Sequence, residues 1–261
     1  MWPILFELGG LRVPTYGAFL AAGFLAGLVL VRRRAPALGL DADRMQTLAA
    51  LLVLGGGLGS RLWFVLEGGQ LLGAAPWKAV AVWEGGAVWY GGLLGGIAAL
   101  CLARWRQPVP LADLGDLFFP AAAVGHLFGR LGCFAAGCCW GKPTDLPWGV
   151  VFPVASACRN PGVPLHPTQL YEAAAEALIL VALLFLWRRR RWRGEIALAY
   201  VALYALARLA LEPLRGDGGA RLVGGRLSLA QVTSLALLAV ASTLWLRARA
   251  RAARAPVATP N

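Results

Sequence analysis

The stretch TYGAFLAAGFLAGLVLV, Thr15–Val31, runs without a charge into Arg32, Arg33 and Arg34, and its reading decides the fold class. A helix that crosses a membrane needs about 20 mainly apolar residues, because the hydrocarbon core is about 30 Å thick. Basic residues at one end of such a helix hold that end on the cytoplasmic side. The same pattern recurs along the chain. Further apolar runs cover about Met45 to Leu66, Ala87 to Ala103, Leu111 to Leu131, Pro167 to Trp187, Ile196 to Leu214 and Ser228 to Leu246. Arg44 shares the first gap with Arg32–Arg34. Arg104 and Arg106 lie between the third and fourth runs, Arg188–Arg191 and Arg193 between the fifth and sixth. Arg247, Arg249, Arg251 and Arg254 follow the seventh. With seven spans all four clusters face one side, whereas six spans scatter them. The expected fold is therefore an all-α polytopic membrane protein of about seven transmembrane helices, with the N-terminus outside and the C-terminus cytoplasmic.

Composition agrees. Of 261 residues, 59% are hydrophobic and 15% charged, with a net charge of +12. Mean hydropathy is +0.63. A disordered chain is less apolar and more charged, and an ordinary soluble domain carries about a quarter charged residues. The positive balance sits mainly in the loop clusters, so it speaks for orientation. No basic stripe interleaved with aromatics suggests nucleic acid, and no such partner is expected. Residues 1–246 are expected to form a single transmembrane domain with an outer loop region at about 132–166, and 247–261 a cytoplasmic tail. Met1–Pro14 lacks a basic n-region and a small-residue cleavage site, so the first span is expected to serve as an uncleaved insertion signal. No internal repeat points to an inverted-repeat transporter.

Charges at membrane depth are costly, roughly 2.5–3.5 kcal/mol each on insertion scales, and mark candidate sites. Arg61 lies in the second run, Arg130 ends the fourth, and Glu172 and Glu176 open the fifth. Arg208, Glu212 and Arg215 lie near the outer end of the sixth. Arg208 and Glu212 share a helix face and form either a structural ion pair or part of a site. Several arginines in apolar walls suit an anionic head group such as phosphate, since guanidinium offers a planar fork of donors and keeps its charge when buried. The pairs Gly85-Gly86, Gly91-Gly92 and Gly95-Gly96 admit two readings, close helix packing or an anion-cradling loop. Packing is favoured for Gly95-Gly96, as for Cys101, which is expected to be a buried apolar residue.

The outer loop holds Cys133, Cys138, Cys139 and Cys158. Disulfides, a metal site and free thiols are all open readings. The set does not repeat the paired Cys-x2–4-Cys spacing of zinc motifs, and no metal and no cofactor is expected. His126 lies inside the fourth run and reads as a hydrogen-bonded core residue. His166-Pro167-Thr168-Gln169-Leu170-Tyr171-Glu172 starts the fifth helix, with Pro167 at its first position and Thr168 and Glu172 near its N-terminus. That account does not require His166, Gln169 or Tyr171.

These motifs resemble the prolipoprotein diacylglyceryl transferase family. His166–Glu172 is similar to its HP[ST]QLYE segment. Gly129-Arg130-Leu131-Gly132-Cys133-Phe134 and Gly137-Cys138-Cys139-Trp140-Gly141 resemble its signature stretch. Lys142–Gly149 and Val151-Phe152-Pro153 continue the match. Trp83-Glu84-Gly85-Gly86 with Tyr90-Gly91-Gly92 resembles its W[DE]GG…HGG segment. Tyr204, Arg208, Glu212 and Arg215 resemble its Y…R…E..R segment, and Tyr16-Gly17 its first-span YG. The matches run in family order from about Tyr16 to Gln231.

The resemblance implies a multi-pass enzyme of the bacterial plasma (inner) membrane. It implies transfer of the diacylglyceryl group of phosphatidylglycerol to the lipobox cysteine thiol of a prolipoprotein signal peptide, with release of glycerol phosphate. Arg130 and Arg208 match functional arginines, and Tyr16, Tyr204 and Gly141 match functional positions. Glu212, Arg215 and Arg61 are expected to help bind substrate. Four usual residues are replaced. Tyr90 stands for the histidine of HGG, and Cys133, Ala136 and Cys138 for two asparagines and a glutamate. Arginine electrostatics, with His166 or Tyr90 assisting, is expected to replace the missing histidine. The rival expectations are a divergent relative acting on another thiol or lipid, and a lipid-binding or transport protein without turnover.

Overall fold

A computed structural model describes residues 2–9, 11–67, 88–106, 108–154, 156–216, 221–222 and 226–254. Each of the seven apolar runs forms a helix: α1 Thr15–Arg34, α2 Ala42–Glu67, α3 Trp89–Arg106, α4 Leu111–Ala136, α5 Thr168–Trp187, α6 Glu195–Leu211 and α7 Leu229–Arg254. Six helical segments are long and apolar enough to cross a membrane, and the third run gives a shorter apolar helix, Tyr90–Trp105. The short strands β1 Ile4–Leu8 and β2 Leu11–Pro14 pair ahead of α1. Two more, β3 Val150–Val151 and β4 Pro164–Leu165, pair within the loop between α4 and α5. In the six long segments no more than 28% of the most apolar window is buried inside the chain. Leu178, Val181 and Phe185 of α5 are well exposed. Apolar area left outward on this scale has its natural solvent in lipid.

The chain forms two compact units, one of Met1–Leu30 with Leu111–Asn261, the other of Val31–Pro110. In the first, α4 packs on α5 and α6, and α6 on α7. Ala123, Ile179, Leu183, Ile196, Ala199 and Tyr200 form their common core. Phe119 stacks on Tyr200 with ring centroids 5.1 Å apart. The N-terminal part of α1 lies against α4 through small residues. A side chain at Gly23 would meet Phe128 at 2.7 Å, and one at Gly132 would meet Tyr16 at 3.0 Å.

At the end of α4 nearest its N-terminus, Asp116 is fully buried. It accepts from Arg190 Nε at 2.8 Å, from the Gly194 amide at 2.7 Å and from the Ala197 amide at 2.8 Å. Asp113 takes Arg190 from the other fork at 2.7 Å. Asp116 thus caps α6 from a neighbouring helix, supplying the acceptor that the first-turn amides of a helix lack. Arg191 pairs with the buried Glu195 at 2.9 Å. The basic cluster between α5 and α6 is therefore not all solvated charge.

The second unit is held by a glycine seam between α2 and α3. A Cβ at Gly95 would fall 2.1 Å from the Gly55 carbonyl oxygen, and one at Gly91 2.3 Å from that of Gly59. Packing is the role of Gly91 and Gly95, where the two backbones approach too closely for any side chain, whereas Gly92 and Gly96 leave room for one. Gly85 and Gly86, like Trp83 and Glu84, lie outside the described residues. Cys101 is exposed rather than buried. The reason is that a membrane helix turns apolar residues outward as readily as inward.

Candidate active site around Glu172

Three guanidiniums from two helices and the turn after one of them converge on one carboxylate. Glu172 stands on the first turns of α5 and its side chain is 8% exposed. Its Oε1 accepts from Arg208 at 2.9 Å and from Arg215 at 2.8 Å. Its Oε2 lies 2.5 Å from Arg130 Nε. Arg208 also grips Glu212 at 2.7 Å, so the pair expected from their spacing forms. Each of these arginines is less than a fifth exposed.

The local sequence explains the convergence. Arg130 is four residues after His126 on α4, and Glu176 four after Glu172 on α5, so each pair lines one helix face. Arg130 Nε, always protonated, donates to His126 Nε2 at 3.2 Å. The histidine proton therefore sits on Nδ1, which faces Glu176 Oε1 at 2.6 Å. Pro213 ends α6, and the turn Glu212–Leu214 delivers Arg215 back to the cluster. A small cleft, with room for about one water, opens beside the cluster, lined by His126, Glu172, Glu176, Tyr204, Arg208 and Leu211, among others. The His126 and Tyr204 rings are 5.4 Å apart across it.

Gly141 sets the position of Arg215. Its amide donates to the His166 carbonyl at 2.9 Å, and the next amide, Lys142, donates to Leu214 at 2.8 Å. Gly141 thus forms a bridge with Arg215 on one side and lies under His166 on the other. A Cβ there would sit 2.5 Å from the His166 Cβ, 2.6 Å from its carbonyl oxygen and 2.8 Å from that of Leu214. Gly141→Ala must part these strands and draw Arg215 from Glu172. The expected cost is about 1–3 kcal/mol of stability, together with most of the activity. Thermal unfolding in detergent alongside a turnover assay checks this, and wild-type values in both would refute it.

The remaining expected residues divide. Tyr16 opens α1 and touches Gly132, the residue before Cys133. The His166 ring meets the Tyr171 hydroxyl at 3.3 Å, and that hydroxyl accepts from Trp148 Nε1 at 2.8 Å. Among the described residues no hydrogen bond or ion pair links the His166 ring to an arginine. Arg61, buried on α2 with its guanidinium 5.3 Å from the Phe64 ring centroid, and Tyr90, exposed on α3, belong to the second unit.

Two corrections concern the start of α5. Pro167 is the N-cap rather than the first helical residue, and no side chain caps this end. Thr168 and Glu172 do other work. Thr168 Oγ1 donates to the Cys139 carbonyl at 2.8 Å, and Gln169 Nε2 to that of Cys138 at 2.6 Å.

All five cysteines are free thiols. The sulfurs of Cys133, Cys138 and Cys139 lie within 4.8 Å of one another. Hydrogen bonds from Cys133 and Cys138, joined by the Arg130 and Arg215 charges, hold the Cys139 thiol below its usual range against the opposing pull of burial. Cys158 packs apart from the trio, in a small core with Trp140, Phe152 and Leu165.

The sequence singles out Glu172 and Glu176 only as charges at depth and His126 as a core residue, and their place at the centre of the arginine cluster is not read from it. The signal available was the repeated spacing of four between partners, on α4 and again on α5.

Comparison with known proteins bears on this geometry. The family model described as "Prolipoprotein diacylglyceryl transferase" matches residues 3–247. A protein of Geobacter sulfurreducens named phosphatidylglycerol–prolipoprotein diacylglyceryl transferase is 37% identical over 93% of this chain and 93% of its own. One of the same name from Clostridium tetani is 34% identical over 83% of this chain and 86% of its own. A third, from Synechococcus elongatus, is 34% identical over 94% and 87%.

Proposed function

The chain belongs to the prolipoprotein diacylglyceryl transferase family, and from that membership we propose that it moves the diacylglyceryl group of phosphatidylglycerol onto the lipobox cysteine thiol of prolipoproteins. It is a multi-pass membrane protein of lipoprotein biosynthesis. Its place in this reading is the bacterial plasma membrane, with the N-terminus outside and the tail cytoplasmic.

The observation that carries the reading is the convergence of Arg130, Arg208 and Arg215 on one buried carboxylate. In the reaction the thiolate sulfur attacks the glyceryl carbon that bears the phosphate ester. The C–S bond forms, the C–O bond breaks, and glycerol phosphate leaves with the electron pair. Negative charge grows on the departing phosphate oxygen. Fixed donors aimed at that charge in an apolar site lower the barrier. Each guanidinium carries five N–H groups, and Glu172 draws on one nitrogen of each. Tyr204 and Arg208 line the small cleft beside them, which must widen to admit a glyceryl group.

The thiol proton needs an acceptor. His126 is held by Glu176, and its Nε2 faces Arg130. Once a phosphate engages Arg130, that nitrogen is released to take the proton. His126 fills the role left by the replacement at Tyr90, and His166 positions Gly141 and the loop.

The test is direct. The purified protein is incubated with phosphatidylglycerol and a lipobox peptide, and the diacylglyceryl thioether is sought by mass spectrometry. Arg130→Ala and Arg208→Ala should each slow adduct formation on the order of 10²–10³-fold, the loss seen for one transition-state donor. His126→Ala should slow it further than His166→Ala or Tyr90→Phe. Absence of adduct beside an active relative sinks the transferase reading. Full activity in His126→Ala removes the base assignment alone.

A further inference from the structure

The cysteine trio is built in a way that the spacing Cys133-x4-Cys138-Cys139 does not announce. Cys133 is on the last turn of α4. The chain then reverses through Gly137 at φ 75° and Cys139 at φ 59°. Cys139 is the described non-glycine residue with positive φ. Such a backbone costs of order 1–3 kcal/mol and persists only where the surroundings hold it. Here they do. Thr168 and Gln169, both fully buried, clamp the carbonyls of Cys139 and Cys138. The Cys138 amide closes on the Cys133 carbonyl at 3.1 Å. The three sulfurs are thereby gathered from two segments and held within 4.8 Å of one another.

A zinc ion bound at a Zn–S distance of about 2.3 Å with tetrahedral angles sets its sulfurs roughly 3.8 Å apart. A disulfide needs about 2.05 Å between one pair and leaves the third sulfur idle. A second observation lies on the clamp itself. Gln169 Oε1 is buried with no hydrogen-bond partner among the described residues, while its Nε2 is committed to Cys138. A donor on the ligand completing the coordination, such as water, is what this oxygen lacks. Arg130 interacts electrostatically with Cys133 and Cys139. Its charge offsets the surplus that three thiolates keep around a divalent ion.

We propose that Cys133, Cys138 and Cys139 form a metal site for a thiophilic divalent cation of the zinc class, built on the loop that α5 clamps. Binding exchanges each S–H bond present for an S–metal bond and gives its proton to solvent. No oxidant takes part. The site stands independently of the transfer reaction, because it rests on the sulfur geometry and the orphaned Gln169 oxygen.

Cadmium serves as the probe, since its thiolate complexes absorb in the ultraviolet. The full-length protein in detergent is reduced, freed of metal with a chelator and titrated with Cd²⁺ without oxygen. The absorption is expected to saturate at one ion per chain, and Zn²⁺ to displace it. Cys133→Ser, Cys138→Ser and Cys139→Ser should each weaken binding by at least about tenfold, the loss known for even an outer partner of a ligand. Cys101→Ser should leave it unchanged. Should the serine variants not fold, the wild type still decides. Bound Cd²⁺ must shield Cys133, Cys138 and Cys139 from iodoacetamide, read by peptide mass spectrometry, while Cys101 stays open to it. Reduced thiols that take up no cadmium, an absorption that survives in Cys139→Ser, or equal alkylation with and without metal each overturns the proposal.

Discussion

Glu172→Ala is expected to lose about 3–5 kcal/mol of stability, the scale for removing one partner of a buried ion pair. Arg130, Arg208 and Arg215 would then face one another without the carboxylate that separates their charges. Glu212 still compensates Arg208, so the repulsion is relieved in part. Glu172→Gln keeps the shape and an acceptor oxygen and should fall between alanine and wild type. An anion that binds the folded state adds stability in proportion to the logarithm of its concentration over its Kd. Phosphatidylglycerol should therefore raise the melting temperature of Glu172→Ala more than that of the wild type. Turnover should still drop, because the arginines lose their fixed placement. A wild-type melting temperature for Glu172→Ala would show that the carboxylate does not hold the cluster. An equal lipid effect in both proteins would separate lipid binding from these arginines.

The second large effect is expected far along α4. Asp116→Ala strips the acceptor from the Arg190 guanidinium and from the amides of Gly194 and Ala197. A buried charge loses one of its two partners and the start of α6 loses its cap. The expected cost is about 3–5 kcal/mol, with α6 opening first because its N-terminal amides go unmet. Asp116→Asn retains one oxygen and should recover part of the loss. Hydrogen exchange of the first turn of α6, followed with thermal unfolding, measures both. Protection unchanged at Ala197 would contradict the cap. Turnover measured at low temperature should be affected less than in Glu172→Ala, because Asp116 makes no contact with the arginine cluster among the described residues.

The helices were legible because each is an apolar run of membrane length bounded by arginine, proline or glycine. The third was the least so. Gly91, Gly92, Gly95 and Gly96 dilute its apolar signal, and they are what lets α3 meet α2. Arg130, Arg208 and Arg215 stood out because charge is costly at depth. Glu172 and Glu176 stood out on the same ground, but not as a meeting point, since at the start of a helix an acidic residue already has a local reason to be there. A lone histidine in an apolar helix likewise has an ordinary explanation, and only the neighbouring helix supplies Glu176. What the chain order could not convey was convergence. Glu172 meets Arg208 at a sequence separation of 36 and Arg215 at one of 43. The thiol cluster was hidden differently. Its spacing matches no paired motif, and the reversal at Gly137 and Cys139 is held by side chains of another helix.

Arg190 serves the molecule at two moments in its life. During synthesis Asp116 lies 74 residues upstream of it, and the two meet only after α4 and α5 have come to rest side by side. Until then the arginine is unpaired charge, of the kind that biases which flank of a membrane span is retained. Afterwards the same guanidinium is spent on Asp113 and Asp116 and no longer counts toward the field at the surface. An Arg190→Gln chain would therefore keep the charges of Arg188, Arg189, Arg191 and Arg193 on this flank, yet lose the latch that joins the turn after α5 to α4.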